Sequence, residues 1–118
     1  MIALLLLVFV LFVCASHMTI DKRVNQCNRS DKLIYKKTGH EFKALFRTFG
    51  GLWVTRNSYI AKVMDATSLS YKCSQCYGDA YICGYKNCKW NCIEDGEKCD
   101  ACLIKHKCIE ECNKCTGL

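Results

Sequence analysis

The chain has 118 residues, including twelve cysteines and no proline, and its formal net charge is +6 at pH 7. This length fits one domain of about 100 residues behind an N-terminal leader, and it is too short for several domains. The hydrophobic fraction of 51% overstates the material available for a core, because the leader and the cysteines contribute much of it.

Residues 1–15 are predicted to be a signal peptide. Met1 to Val13 form an apolar run, and small residues follow at Ala15 and Ser16. The run is shorter than the about 20 residues that a membrane-spanning helix needs, and it has the length of a signal-peptide core. We expect cleavage after Ala15 and a secreted, extracellular protein. Lipid modification of Cys14 is the less favoured alternative, because Val13 is a poor residue directly before such a cysteine.

The remaining chain divides into two parts of different composition. Residues 16–72 carry eleven Lys or Arg against four Asp or Glu, whereas residues 73–118 carry six against seven. This asymmetry predicts a basic face for an extracellular protein, a glycan or an anionic membrane surface. The alternative is a solvated surface that only keeps the protein soluble.

Two short motifs precede the first predicted helix. Lys22-Arg23 is a candidate processing site, which would leave Val24 as the N-terminus. Asn28-Arg29-Ser30 is an N-glycosylation acceptor, so Asn28 is a candidate glycosylation site.

The clearest helical pattern lies at residues 38–49. Thr38 and Glu41 have the spacing of a capping box, and Gly50-Gly51 supplies a stop. Four apolar residues then share one helical face, which we assign to the core. They are Phe42, Leu45, Phe46 and Phe49. The alternative is a cationic, membrane-active helix with this face inserted at the lipid interface.

A second helix is predicted over residues 58–66, with four residues facing inward. These are Tyr59, Ile60, Val63 and Met64. Leu52 to Val54, between the two helices, fits either a short strand or a buried connector.

Ten cysteines fall within residues 73–118 and form the predicted disulfide framework, with Cys27 as an eleventh member. The ten are Cys73, Cys76, Cys83, Cys88, Cys92, Cys99, Cys102, Cys108, Cys112 and Cys115. Their repeated steps of three and four place sulfurs on one face of short helices, with breaks expected at Gly78, Gly84 and residues 91–96. Apolar residues between the cysteines would fill the remaining core. They are Tyr77, Tyr81, Ile82, Trp90, Ile93, Leu103, Ile104 and Ile109.

Antiparallel lacing of these helices predicts two ladders, with Cys27 reaching either Cys83 or Cys115. The predicted rungs are Cys88–Cys112 and Cys92–Cys108, and Cys73–Cys102 with Cys76–Cys99. Eleven is an odd number, so either one thiol is free or one bridge joins two chains as a covalent homodimer. Zinc binding at the C-x2-C pairs is the main competing hypothesis, but a secreted chain favours disulfides. We predict no metal and no cofactor.

The sequence therefore predicts a mainly α-helical, small, disulfide-rich fold, in which a basic helical N-terminal part packs on a Cys-rich part of short helices cross-linked by cysteine stripes. No catalytic motif, phosphate-binding glycine loop or nucleic-acid module is present, so we expect a non-enzymatic binding protein without a nucleic-acid partner: a signal, toxin-like ligand, inhibitor or effector. The candidate contact residues are Lys36, Lys37, Lys43, Arg47, Trp53 and Tyr77.

Overall fold

The computed structural model describes residues 23–94 and 96–118. The predicted signal peptide, Cys14 and Lys22 lie outside the described residues. Within them the fold is helical, with no strand. The elements are α1 (Arg29–Thr38), a 3-10 turn (Gly39–Glu41), α2 (Phe42–Arg47), α3 (Arg56–Thr67), α4 (Tyr71–Cys88), α5 (Glu97–Lys105) and α6 (Cys108–Thr116). The predicted mainly α, disulfide-rich fold class is confirmed.

The first helix begins at a capping box that the sequence analysis did not identify. The Asn28 side chain accepts a hydrogen bond from the Asp31 amide, and the Asp31 carboxylate accepts one from the Asn28 amide, both at 2.8 Å. The predicted capping box at Thr38 and Glu41 was wrong. Thr38 ends α1 instead, and its hydroxyl donates to the Ile34 carbonyl, so it does not cap the following helix.

The hydrophobic core lies between α2, α3 and the start of α4. Its buried members are Cys27, Phe42, Phe46, Tyr59, Val63, Leu69 and Cys73. Leu45 and Phe49 pack against this cluster, so the structure places the whole Phe-rich stripe in or against the core. The second predicted helix corresponds to α3 (Arg56–Thr67). It starts before residue 58 because Thr55 caps it, accepting a hydrogen bond from the Ser58 amide.

Helix α4 is the central element and packs against α3, α5 and α6. Ser70 caps its first turn, with the hydroxyl accepting a hydrogen bond from the Cys73 amide, and the helix then continues for 18 residues. The predicted breaks at Gly78 and Gly84 were wrong. Both glycines lie inside α4 where another helix approaches closely, Gly78 facing Ile60 and Gly84 facing Leu103.

Five disulfides fix the helices to one another. The bridges are Cys27–Cys73, Cys76–Cys115, Cys83–Cys108, Cys88–Cys102 and Cys92–Cys99. None of the predicted pairings is present. The last four bridges are nested inside one another, because the uninterrupted α4 runs antiparallel to the returning α6 and faces α5 near its end.

The residues before α1 join the two ends of the fold. The amides of Asn25, Gln26 and Cys27 donate to three carbonyls in the last turn of α6, at 3.1, 2.7 and 3.3 Å. The last carbonyls of a helix have no partner within the helix. The N-terminal segment therefore supplies partners for the last carbonyls of α6, next to the Cys76–Cys115 bridge that fixes α6 to α4.

Candidate interaction surface

A short turn between α2 and α3 presents the most exposed aromatic side chain among the described residues. Trp53 is 97% exposed and Leu52 is 72% exposed. The two residues form a turn rather than a strand, and we call them the tip. Trp53 has a φ of 74°, a left-handed conformation that is uncommon for a bulky residue and that persists only where the surroundings impose it.

Tyr81 of α4 holds the base of the tip. Its hydroxyl oxygen lies 2.9 Å from the Gly51 carbonyl and 3.2 Å from the Val54 carbonyl, and it accepts from the Gly51 amide at 3.4 Å. The Tyr81 ring stacks on Tyr59 at 4.4 Å between centroids. Tyr59 is itself buried and donates to the Phe46 carbonyl. The tip is therefore anchored to the core through two tyrosines.

Aromatic residues continue along α4 from the tip. Tyr81 and Tyr85 are four residues apart, and their ring centroids lie 6.1 Å from each other. The Lys89 ammonium lies 5.5 Å from the Tyr85 centroid and 5.1 Å from that of Trp90. Trp90 is 75% exposed, contrary to its predicted core position. We call Tyr81, Tyr85, Lys89 and Trp90 the strip.

Trp90 lies outside a core that, in the Cys-rich part, is formed largely by cysteines. The buried residues of the Cys-rich part are mostly half-cystines, such as Cys76, Cys88 and Cys99. Four isoleucines predicted to lie in this core are also exposed, namely Ile82, Ile93, Ile104 and Ile109. Leu103 is partly buried, and Tyr77 and Tyr81 pack against the core cluster, as predicted. Cross-links replace apolar burial in this part of the molecule.

The predicted basic contact residues lie in two different environments. Lys36 and Lys37 are exposed in the last turn of α1. Lys43 and Arg47 instead contact Asp100 of α5, at 3.3 and 2.8 Å. The hydrogen bond from Lys43, together with Arg47, lowers the pKa of the Asp100 carboxyl below its ordinary value. Two of the four candidate cations thus also join the N-terminal part to α5.

Tyr77 was predicted both to fill the core and to be a candidate contact residue, and the structure places it against the core. Its ring packs against Phe42 and Phe46, with centroids 6.2 and 4.6 Å away. Burial raises the pKa of the Tyr77 hydroxyl. The spacing of Tyr77 before Tyr81 and Tyr85 puts all three on one stripe of α4, which runs from the core to the surface.

Asn28, the predicted glycosylation site, is exposed at the start of α1. Its side-chain oxygen is engaged by the Asp31 amide. A glycan on the Asn28 nitrogen would leave that oxygen available for the cap.

One thiol remains among the described cysteines. Cys112 forms no bridge and lines a cleft together with the bridges Cys76–Cys115 and Cys83–Cys108. Arg23 and Asp79 line the same cleft. Burial, with the charge of Asp79, raises the pKa of the Cys112 thiol to about 11. A thiol in this state is a weak nucleophile at neutral pH.

Among the described residues, two groups of side chains each bring three potential metal ligands together. They are Cys88, Cys102 and His106, and Cys27, Asp31 and Cys73. Each group contains a bridged pair, and bridged sulfurs are not the thiolates that bind zinc.

His40 is exposed beside Glu41, with 3.7 Å between its Nε2 and the carboxylate.

Sequence reasoning missed Asp31 and the strip. Asn28 followed three residues later by Asp31 has the spacing of a capping box, and this signal was present. The strip had a weaker signal, the four-residue spacing of its tyrosines, which also describes a buried helix face.

Comparison of the chain with family models, with curated proteins and with solved structures found no match in any of the three. Among residues 23–94 and 96–118, no helix combines the length and the apolar character that crossing a bilayer requires.

Proposed function

We propose that this chain is a secreted, non-enzymatic binding protein that contacts an extracellular partner through the tip and a basic surface. Five intrachain disulfides support an extracellular location, because such bridges persist in oxidising compartments. Each bridge in a small domain typically contributes about 2–4 kcal/mol to stability. A scaffold locked in this way loses little conformational entropy when it binds.

The observation that carries the proposal is the exposure of Trp53 on an anchored turn. A tryptophan that is 97% exposed contributes nothing to the core, whereas tryptophan is among the residues that contribute most at binding interfaces. Because Tyr81 and Tyr59 fix the turn, the indole is presented without a flexible loop having to become ordered.

Lys36 and Lys37 would supply long-range attraction. Both are exposed at the end of α1, and neither has an ion-pair partner among the described residues. Exposed cations of this kind raise the association rate with an anionic partner, and salt weakens their effect.

The test is saturable binding of the fluorescently labelled protein to intact eukaryotic cells and to immobilised heparin. We expect Trp53→Ser to weaken binding to cells about tenfold, since one buried aromatic contact is lost. Reversing the charge at Lys36 and Lys37 should weaken binding to both probes in a salt-dependent way. The matched control reverses Lys98 and Lys105, which are exposed on α5.

Two results contradict the proposal. One is the absence of saturable binding to either probe. The other is an equal loss of binding in the Lys98 and Lys105 control, which would show that only the net charge of the molecule matters.

A further inference from the structure

The tip and the strip are connected through Tyr81. Tyr81 contacts the backbone of the tip, Tyr85 follows one turn later on α4, and Lys89 lies over Tyr85 and Trp90. Leu52 and Trp53 therefore lie at one end of a chain of contacts, and Trp90 lies at the other.

The backbone groups that flank the tip have partners within the protein. The Gly51 amide and the Gly51 and Val54 carbonyls lie within hydrogen-bonding distance of the Tyr81 hydroxyl, and the Val54 amide donates to the Gly51 carbonyl at 3.3 Å. No residue from Gly50 to Thr55 is charged. The amides and carbonyls of Leu52 and Trp53 have no partner among the described residues, which suits the hydrated headgroup region rather than the hydrocarbon core.

Cations border this apolar surface. The Lys62 ammonium lies 3.5 Å from the Phe49 carbonyl, at the base of the tip, and Lys89 lies within the strip. The nearby carboxylate of Asp79 is held by Arg56 at 2.6 Å and by Arg23 at 3.5 Å. Basic residues beside membrane-facing apolar groups are attracted to the anionic headgroups of a leaflet.

We infer that the tip and the strip together form a peripheral membrane-binding surface for anionic lipid. Trp53 and Trp90 would lie at the level of the headgroups, where amphipathic indole rings are enriched, and Lys62 and Lys89 would contact the lipid phosphates or carboxylates. This inference rests on the proposed function and names the partner of the same surface. It is distinct from membrane insertion by residues 38–49, because Phe42 and Phe46 stay in the core.

Lipid fits this surface better than a protein pocket does. A protein pocket receives one or two anchoring side chains at the centre of a patch. Here the exposed indoles lie at two separate ends, and the cations lie between and beside them. An anionic lipid bilayer can accept this distribution, because it offers an apolar interior to the indoles and anionic headgroups to the cations along its whole surface.

The test uses vesicles of phosphatidylcholine containing phosphatidylserine, and vesicles of phosphatidylcholine alone. We expect the intact protein to co-sediment with the anionic vesicles, to show a blue shift of tryptophan emission, and to cause no leakage. Trp53→Ser should weaken binding about tenfold and Trp90→Ser several-fold, because each removes an interfacial anchor. Lys89→Glu should weaken binding to the anionic vesicles only.

Ile104→Ser is the matched control. Ile104 is an exposed apolar residue that lines a separate groove with Ile109 and Glu110, and its replacement should leave vesicle binding unchanged. Circular dichroism and an unchanged disulfide map establish that each variant folds. An equal loss of binding in the Ile104 and Trp53 variants overturns the inference.

The outcomes separate this inference from the proposed function. Binding to cells that depends on Trp53, without binding to either kind of vesicle, overturns the lipid assignment and leaves a protein or glycan as the partner. The absence of binding to cells, to heparin and to vesicles overturns both.

Discussion

Asp31 is a buried carboxylate that joins the starts of two helices. It is 1% exposed and accepts hydrogen bonds from the Asn28 amide, the Ser70 amide and the Ser70 hydroxyl, at 2.8, 2.7 and 2.6 Å. Asn28 caps α1 and Ser70 caps α4. A negative charge at this position is favourable, because the first turn of each helix carries a partial positive charge.

Replacing Asp31 by Asn should destabilise the protein by about 3 kcal/mol. The amide NH2 of Asn would face donors in place of an oxygen, and buried groups left without partners cost about 1–3 kcal/mol each. The measurement is the free energy of unfolding in guanidinium chloride with all bridges intact. Asp65→Asn is the control, because Asp65 is exposed on α3, and we expect a change within about 0.5 kcal/mol. Equal losses in the two variants would show that Asp31 has no special role.

At the scale of elements, α4 remains continuous through two glycines because each one meets a neighbouring helix. A methyl group on Gly78 would lie 2.5 Å from Ile60 Cγ1, whereas one on Gly84 would lie 3.1 Å from Leu103 Cδ2. The first contact is with the inner part of a buried, β-branched side chain. The second is with the end of a partly buried and more adaptable one.

This difference predicts that Gly78→Ala is the less stable of two alanine substitutions in the same helix. Alanine gains about 1 kcal/mol of helix propensity over glycine at either position. At Gly78 the crowding of Ile60 should cost about 1–3 kcal/mol, so Gly78→Ala should be neutral to destabilising by about 2 kcal/mol. Gly84→Ala should be neutral or stabilising, because Leu103 can rotate away. Thermal unfolding of the two variants checks this, and a Gly84 variant less stable than the Gly78 variant would contradict it.

The elements that the sequence could predict are those with a strong internal pattern. The stripe from Phe42 to Phe49 and the inward face of α3 follow from apolar spacing alone, and both pack as that spacing indicates. The continuity of α4 could not be predicted in this way. Glycine breaks an isolated helix but permits close helix packing, and only the position of α3 and α5 decides which effect applies to Gly78 and Gly84.

At the scale of the whole molecule, the pairing of the cysteines depends on how the helices are arranged relative to one another and not on local spacing. Cysteine steps of three and four predicted which side chains share a helix face. They could not predict that Cys27 reaches the start of α4, or that α6 returns along α4 to pair Cys83 with Cys108. The contact surface was equally hard to predict, since Tyr77 and Tyr85 have the same spacing from Tyr81 but only one of them is exposed.

The nested bridges between α4 and α6 leave one position unpaired. Cys76 and Cys83 are seven residues apart on α4, and their partners Cys115 and Cys108 are seven apart on α6. Cys112 lies between the two bridges on α6, and Ala80 lies between them on α4, facing the same cleft. No cysteine lies on α4 between Cys76 and Cys83, so Cys112 has no partner there for a middle bridge.

This placement predicts that Cys112 stays a free, slowly reacting thiol and does not link two chains. Raising its pKa from 9.0 to about 11 lowers the thiolate fraction at pH 8 about a hundredfold. Iodoacetamide should therefore modify the folded protein about a hundredfold more slowly than the protein unfolded in guanidinium chloride. The rate should rise about tenfold per pH unit until the pH approaches 11. A non-reduced mass of two chains, or fast alkylation at neutral pH, would contradict the prediction.

Introducing a cysteine at position 80 tests the register of the two helices directly. In Ala80→Cys the new thiol shares the cleft with Cys112, and each lies four residues after a bridged cysteine of its own helix. We expect a sixth bridge, so that no thiol remains for alkylation and peptide mapping recovers the pair 80–112 together with the five existing bridges. Lys86→Cys is the control, because position 86 is exposed on α4 and should leave two reactive thiols. Rearrangement of Cys76–Cys115 or Cys83–Cys108 in the Ala80 variant would show that α4 and α6 are not held in this register.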